Sequence, residues 1–105
     1  MLEPIFDHPR LVAVYDAFDG DRRDLAAYVQ ILRELGSHCV LDVGSGTGCL
    51  ACMLVENGFK VTGVEPARAS VEFARHKPNA ESVTWVVGDV TTLPRNTSVD
   101  TAIMT

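Results

Sequence analysis

The sequence predicts an α/β class domain, a parallel sheet with helices packed on its faces. Two observations carry this: short apolar runs alternate with helix-period segments from Cys39 onward, and the first run passes directly into a glycine-rich turn. That stretch is Cys39-Val40-Leu41-Asp42-Val43-Gly44-Ser45-Gly46-Thr47-Gly48-Cys49-Leu50. It reads as a buried strand, a tight turn and a helix start. Glycine at alternate positions allows positive φ and lets a ligand lie on the main chain. Amides of the new helix's first turn can meet a ligand carboxylate or hydroxyl.

The elements follow in order. Residues 1–9 hold two prolines and read as an irregular lead-in. Arg10 to Phe18 places Leu11, Val14, Tyr15 and Phe18 at helical spacing. Asp19-Gly20-Asp21 breaks that helix, and Asp21 suits the N-cap of the next, with Asp24 favourable in its first turn. Leu25, Tyr28, Val29, Leu32 and Leu35 mark one apolar face of this helix, and Gly36 suits the C′ position that closes it. Thr47 to Glu56 is apolar nearly all round and predicts a buried helix, ended by Asn57-Gly58. Phe59 to Val64 predicts the second strand, closing on Glu65. Pro66 fits the first position of a helix that reaches His76, with Val71, Phe73 and Ala74 facing the core. Lys77-Pro78-Asn79 stops it. Ser82 to Val87 predicts the third strand, ending at Gly88-Asp89, and Val99 to Met104 the fourth.

Composition narrows the function classes. With 105 residues there is room for one small domain, read as a helical cap over 1–36 and an α/β core over 37–105. A net charge of −5 argues against a nucleic-acid footprint, and no apolar run has the length of a membrane span. Three cysteines form no even disulfide framework, and the N-terminus lacks signal-peptide character, so a cytoplasmic setting is expected. Cys49 and Cys52 have redox spacing, but they sit in an apolar helix start and read as packing, as does Cys39. His8, His38 and His76 are scattered without metal-ligand spacing. No metal site and no general base is named.

Three acids have a common spacing. Asp42 stands near the end of the first strand, Glu65 at the end of the second and Asp89 just past the third, 23 and 24 residues apart. One strand–helix unit separates each pair, so all three reach one rim of the sheet, where ligands of open α/β sheets bind. A carboxylate there needs hydrogen-bond partners, and an acid after the second strand suits the hydroxyls of a ribose.

The pattern Asp42-x-Gly44-x-Gly46-x-Gly48, followed by Glu65 and Gly88-Asp89, resembles the class I S-adenosylmethionine-dependent methyltransferases over roughly Val40 to Met104. The resemblance implies a Rossmann-like three-layer fold with strand order 3-2-1-4 and S-adenosyl-L-methionine as cofactor, with S-adenosyl-L-homocysteine as product. Gly44, Ser45, Gly46 and Gly48 would underlie the methionine part, and Asp42 would orient its ammonium. Glu65 would take both ribose hydroxyls, Asp89 the adenine amino group, and the Val90 amide and Pro66 would lie by the ring. Tyr15 is a candidate to close over the sulfonium. The acceptor is expected to be a small molecule of unidentified structure.

Two other readings stay open: a nicotinamide-dependent oxidoreductase part, and a non-catalytic binding or assembly module. A dinucleotide turn of the Gly-x-Gly-x-x-Gly type would require Gly or Ala at Cys49. Enzymes similar to this one continue past the fourth strand, so the chain is expected to be part of a longer enzyme. The alternative is self-association through the open fourth-strand edge.

Overall fold

A computed structural model of the protein describes residues 22–104. The expected helix over Arg10–Phe18, the N-cap at Asp21 and Tyr15 lie outside the described residues. The elements are α1 (Arg22–Glu34), β1 (Cys39–Val43), α2 (Cys49–Glu56), β2 (Lys60–Glu65), α3 (Arg68–Ala74), a 3₁₀ turn (Ala80–Ser82), β3 (Val83–Val87), a second 3₁₀ turn (Val90–Thr92) and β4 (Thr101–Met104).

All strand pairs are parallel and the order is β3-β2-β1-β4, as the resemblance implied. Val40, Val61 and Val83 stand in one register row across three strands. They join Val29 and Leu32 of α1, Leu50, Ala51, Met53 and Leu54 of α2, and Phe59 in a single core cluster. The period of α2 is hard to read in the sequence because this helix is walled on most sides, with Leu50 to Met53 buried and Leu54 fully so.

α1 ends as Gly36 foretells. Gly36 takes φ +70°, its N–H donates to Arg33 O at 3.1 Å, and Ser37 N donates to Leu32 O at 3.0 Å. These two bonds form the Schellman closure that turns the chain toward β1. Only part of the apolar face meets the core, however. Val29 and Leu32 are buried, while Tyr28 and Leu35 are exposed.

Several boundaries differ from expectation. α2 begins at Cys49 rather than Thr47, because Gly48 holds a left-handed conformation at its N-cap. Pro66 is not the first helical residue: Ala67 is the extended N-cap and α3 begins at Arg68. The helix stops at Ala74, short of His76, and Phe73 is only partly buried, its ring facing the Lys77 ammonium at 5.0 Å. Ser82 belongs to a 3₁₀ turn rather than to β3. β4 begins at Thr101, two residues later than expected, because the Asp100 carboxylate is already engaged by the amides of His38 and Cys39, both at 2.9 Å.

Candidate functional site

The site is built where β1 hands over to α2. Gly44 N and Ser45 N both donate to Val64 O, at 2.8 and 3.1 Å, so the turn leaves β1 while still attached to β2. Gly44, Gly46 and Gly48 all have positive φ, at 73°, 55° and 83°. For Gly48 the constraint is also steric. A Cβ there would lie 2.7 Å from Trp85 Cη2 and 2.8 Å from Ala74 Cβ. Trp85, whose Nε1–H donates to Ala80 O at 3.0 Å, is the packing plate beneath the turn.

The three acids occupy adjacent strand ends but differ in surroundings. Asp42 is buried inside β1, at 1% exposure, and borders the cleft above the turn. Glu65 is also buried. Its Oε1 accepts from Gly46 N at 2.8 Å and its Oε2 from Ala67 N at 3.0 Å. One carboxylate thus joins the glycine turn to the chain leaving β2. Glu65 also pairs in register with Val87, and Gly88 N donates to Glu65 O at 3.0 Å. The rim is therefore continuous from the glycine turn to the end of β3.

Asp89 is exposed and caps the second 3₁₀ turn. Its carboxylate accepts from Thr91 N and the Thr91 hydroxyl, and the Thr92 hydroxyl in turn accepts from Asp89 N. Hydrogen bonds from the Thr91 hydroxyl, then from its amide, hold the Asp89 pKa below its ordinary value. This carboxylate stays ionised, with accepting capacity beyond its turn. Val90 and Pro66 are both exposed beside the same rim.

A cleft of about 520 Å³ opens between α1 and the glycine turn. Its floor is Asp42, Gly44, Ser45, Gly46 and Cys49, and α1 supplies the far wall. No Lys or Arg lines it among the described residues, so it favours a positively charged ligand over a phosphate. The Ser45 hydroxyl is buried, at 9% exposure, with no hydrogen-bond partner in the fold.

Of the residues expected from the sequence, Asp42, Gly44, Ser45 and Gly46 line the cleft and Glu65 is bonded to Gly46, whereas Gly48, Pro66, Asp89 and Val90 lie outside its lining. Trp85, Asp24 and Tyr28 are additions that the sequence reading did not assign to the site. The signals were present: one tryptophan in the chain, and an acid and an aromatic four residues apart on a helix. Cys39, Cys49 and Cys52 form no disulfide with one another, and no cluster of potential metal ligands exists among the described residues.

Sheet order, glycine turn and acid-bearing strand ends define the Rossmann-like class of nucleoside-binding α/β domains. A family model described as "Methyltransferase domain" matches residues 40–105, and the chain belongs to that family. It is 32% identical over 94 residues to the biotin biosynthesis bifunctional protein BioHC of Cellvibrio japonicus, covering 87% of this chain and 18% of that protein. It is 39% identical over 66 residues to the glycine N-methyltransferase of Rattus norvegicus, covering 58% and 22%. A solved SAM-dependent methyltransferase from Thiobacillus denitrificans, in complex with S-adenosyl-L-homocysteine, superposes with a TM-score of 0.69. That match has 25% identity over 93% of this chain and 44% of the other. The chain thus spans about a fifth of the length of these two curated relatives.

Proposed function

We propose that this chain is the cofactor-binding part of an S-adenosylmethionine-dependent methyltransferase acting on a small-molecule acceptor. The observation that carries it is the Glu65 clasp. A buried carboxylate at the end of β2 is bonded to the amide of Gly46, so the acid and the glycine floor belong to one ligand site. The residues fit the donor. A cleft without a Lys or Arg among its described lining residues suits a molecule bearing an ammonium and a sulfonium.

In this reading Gly44, Ser45, Gly46 and Gly48 underlie the methionine end, with Asp42 orienting the ammonium through the turn. Glu65 uses its remaining lone pairs for the ribose hydroxyls. Asp89 accepts from the adenine amino group, with the Val90 amide and Pro66 against the ring. The bound donor supplies a methyl already activated on sulfur. The chain's contribution is binding, alignment and exclusion of water, and no general base is assigned.

Support comes from the family and from the solved relative that holds S-adenosyl-L-homocysteine. The outer edge of β4 accepts a further strand, from the same protein or from a second copy, and the setting is cytoplasmic. No described helix is long and apolar enough to cross a membrane.

The test is a titration of S-adenosyl-L-homocysteine against NADH, followed by the fluorescence of Trp85, the one tryptophan. The ring packs under Gly48, so occupation of the turn is expected to change its emission. A response to NADH alone would overturn the assignment in favour of a dinucleotide enzyme. A response to neither would favour a binding module.

A further inference from the structure

We propose that Trp85 is a positioning residue for the donor: wedged between Gly63 and Gly48, its ring sets the place of the glycine turn and so of the methionine end. This deepens the cofactor reading above and rests on it.

One register row crosses all four strands. Ile103 pairs with Asp42, Asp42 with Gly63 and Gly63 with Trp85. Residues of one row in a parallel sheet point to the same face. Here it is the face that α2 covers, since Ile103 and Trp85 both pack against the core cluster. Gly63 therefore leaves a side-chain place open between Asp42 and the indole. Its φ is not positive, so space rather than backbone conformation calls for glycine there. A glycine inside a strand commonly marks such a close approach.

Two groups take up that place. A Cβ on Gly63 would lie 3.1 Å from both Trp85 Cε3 and Cζ3, and 3.2 Å from Ser45 Cβ. The same six-membered ring reaches the turn, where its Cη2 is the atom 2.7 Å from a Cβ placed on Gly48. The indole thus runs from the middle of β2 to the last glycine of the turn, and Ser45 closes on Gly63 beside it. The ring is fixed at its other end, where Nε1–H donates to Ala80 O at 3.0 Å. Ser45 is tied to β2 as well, through its amide bond to Val64 O.

Close-packed contacts of this kind pass a displacement on rather than absorb it. A change of size at residue 63 or 85 is accordingly felt at Ser45 and Gly48, which bracket Gly46 in the floor assigned to the methionine end. It is not felt at Asp89, whose bonds lie within its own 3₁₀ turn. The nucleoside end and the methionine end of the donor should therefore respond differently.

The experiment measures two ligands on the full chain: S-adenosyl-L-homocysteine by calorimetry, and 5′-methylthioadenosine, which lacks the amino-acid end, by ligand-observed NMR. In Gly63→Ala and in Trp85→Phe the affinity for S-adenosyl-L-homocysteine is expected to fall at least about fivefold, with methylthioadenosine within about twofold of the unaltered chain. Phenylalanine lacks the second ring, so in the double variant the new methyl meets a smaller side chain. Its S-adenosyl-L-homocysteine affinity should then exceed that of either single variant by about threefold. Equal losses for the two ligands, or additive losses in the double variant, would make Trp85 a purely structural residue and overturn the proposal. Unchanged affinity in Trp85→Phe overturns it too, and that variant adds no clash, so it decides the matter even where Gly63→Ala does not fold. Failure of the unaltered chain to bind S-adenosyl-L-homocysteine overturns the cofactor reading instead.

Discussion

Glu65 and Gly48 show how much a single side chain, or its absence, settles at this site. The Glu65 carboxylate accepts from two amides, one in the glycine turn and one in the segment leaving β2. In Glu65→Gln one oxygen becomes an NH₂ that faces a donor, so one buried N–H loses its partner, at a cost of about 1–3 kcal/mol. The expected outcome is a lower melting temperature and S-adenosyl-L-homocysteine binding weakened by more than about tenfold, read by calorimetry. Cys52→Ala, away from the rim, should leave affinity near that of the unaltered chain, and equal losses in the two variants would count against the ribose assignment. Gly44 and Gly48 separate two requirements that the sequence shows as one motif. Both have positive φ, but only Gly48 has neighbours where a Cβ would go. Gly44→Ala should cost about 1–2 kcal/mol, from the left-handed conformation alone. Gly48→Ala adds a clash with Trp85 and Ala74 and should cost about 3 kcal/mol or more in denaturant unfolding.

At the scale of elements, β4 is fastened to β1 by a carboxylate as well as by the ladder. Asp100 Oδ2 accepts from His38 N and Cys39 N, its Oδ1 accepts from the Thr101 hydroxyl at 2.9 Å, and Ser37 and Thr101 share a hydrogen bond of 2.7 Å. The amide of Cys39, then that of His38, holds the Asp100 pKa below its ordinary value of 3.8. A carboxylate with a depressed folded-state pKa contributes stability that is fully present above the unfolded value and is lost as pH falls through the folded one. Asp100→Ala should therefore melt below the unaltered chain at pH 7, and the gap should close in acid below about pH 3.8. A gap that keeps its size well below pH 3.8 would show that Asp100 acts by some route other than its charge. α1 carries the opposite lesson. Its Schellman closure was legible because Gly36 is a local signal, whereas the fate of its apolar face was not. The 3.6-residue period marks Tyr28 and Leu35 as equivalent to Val29 and Leu32, and only the position of α2 decides which of them are covered.

For the whole molecule, ligand binding and folding should be coupled, because the cleft is assembled from α1, β1, the glycine turn and the start of α2 rather than from one loop. S-adenosyl-L-homocysteine at about 100 times its dissociation constant should add roughly 2.7 kcal/mol of stability, visible as a raised melting temperature. An unchanged melting temperature at saturation would overturn the cofactor reading. The sequence by itself determined the α/β class, the strand order through its family pattern, and the rim that receives Asp42, Glu65 and Asp89. These follow from chain-local regularities: the period of each element, the glycines between them and one strand–helix unit between acids. The tertiary structure alone decided that Glu65 clasps the glycine turn, that Trp85 fixes the need for Gly48, and that Asp24 and Tyr28 share the cleft with Asp42. Each of those facts joins residues distant along the chain, and such pairings are set by the packing of finished elements, which no local spacing records.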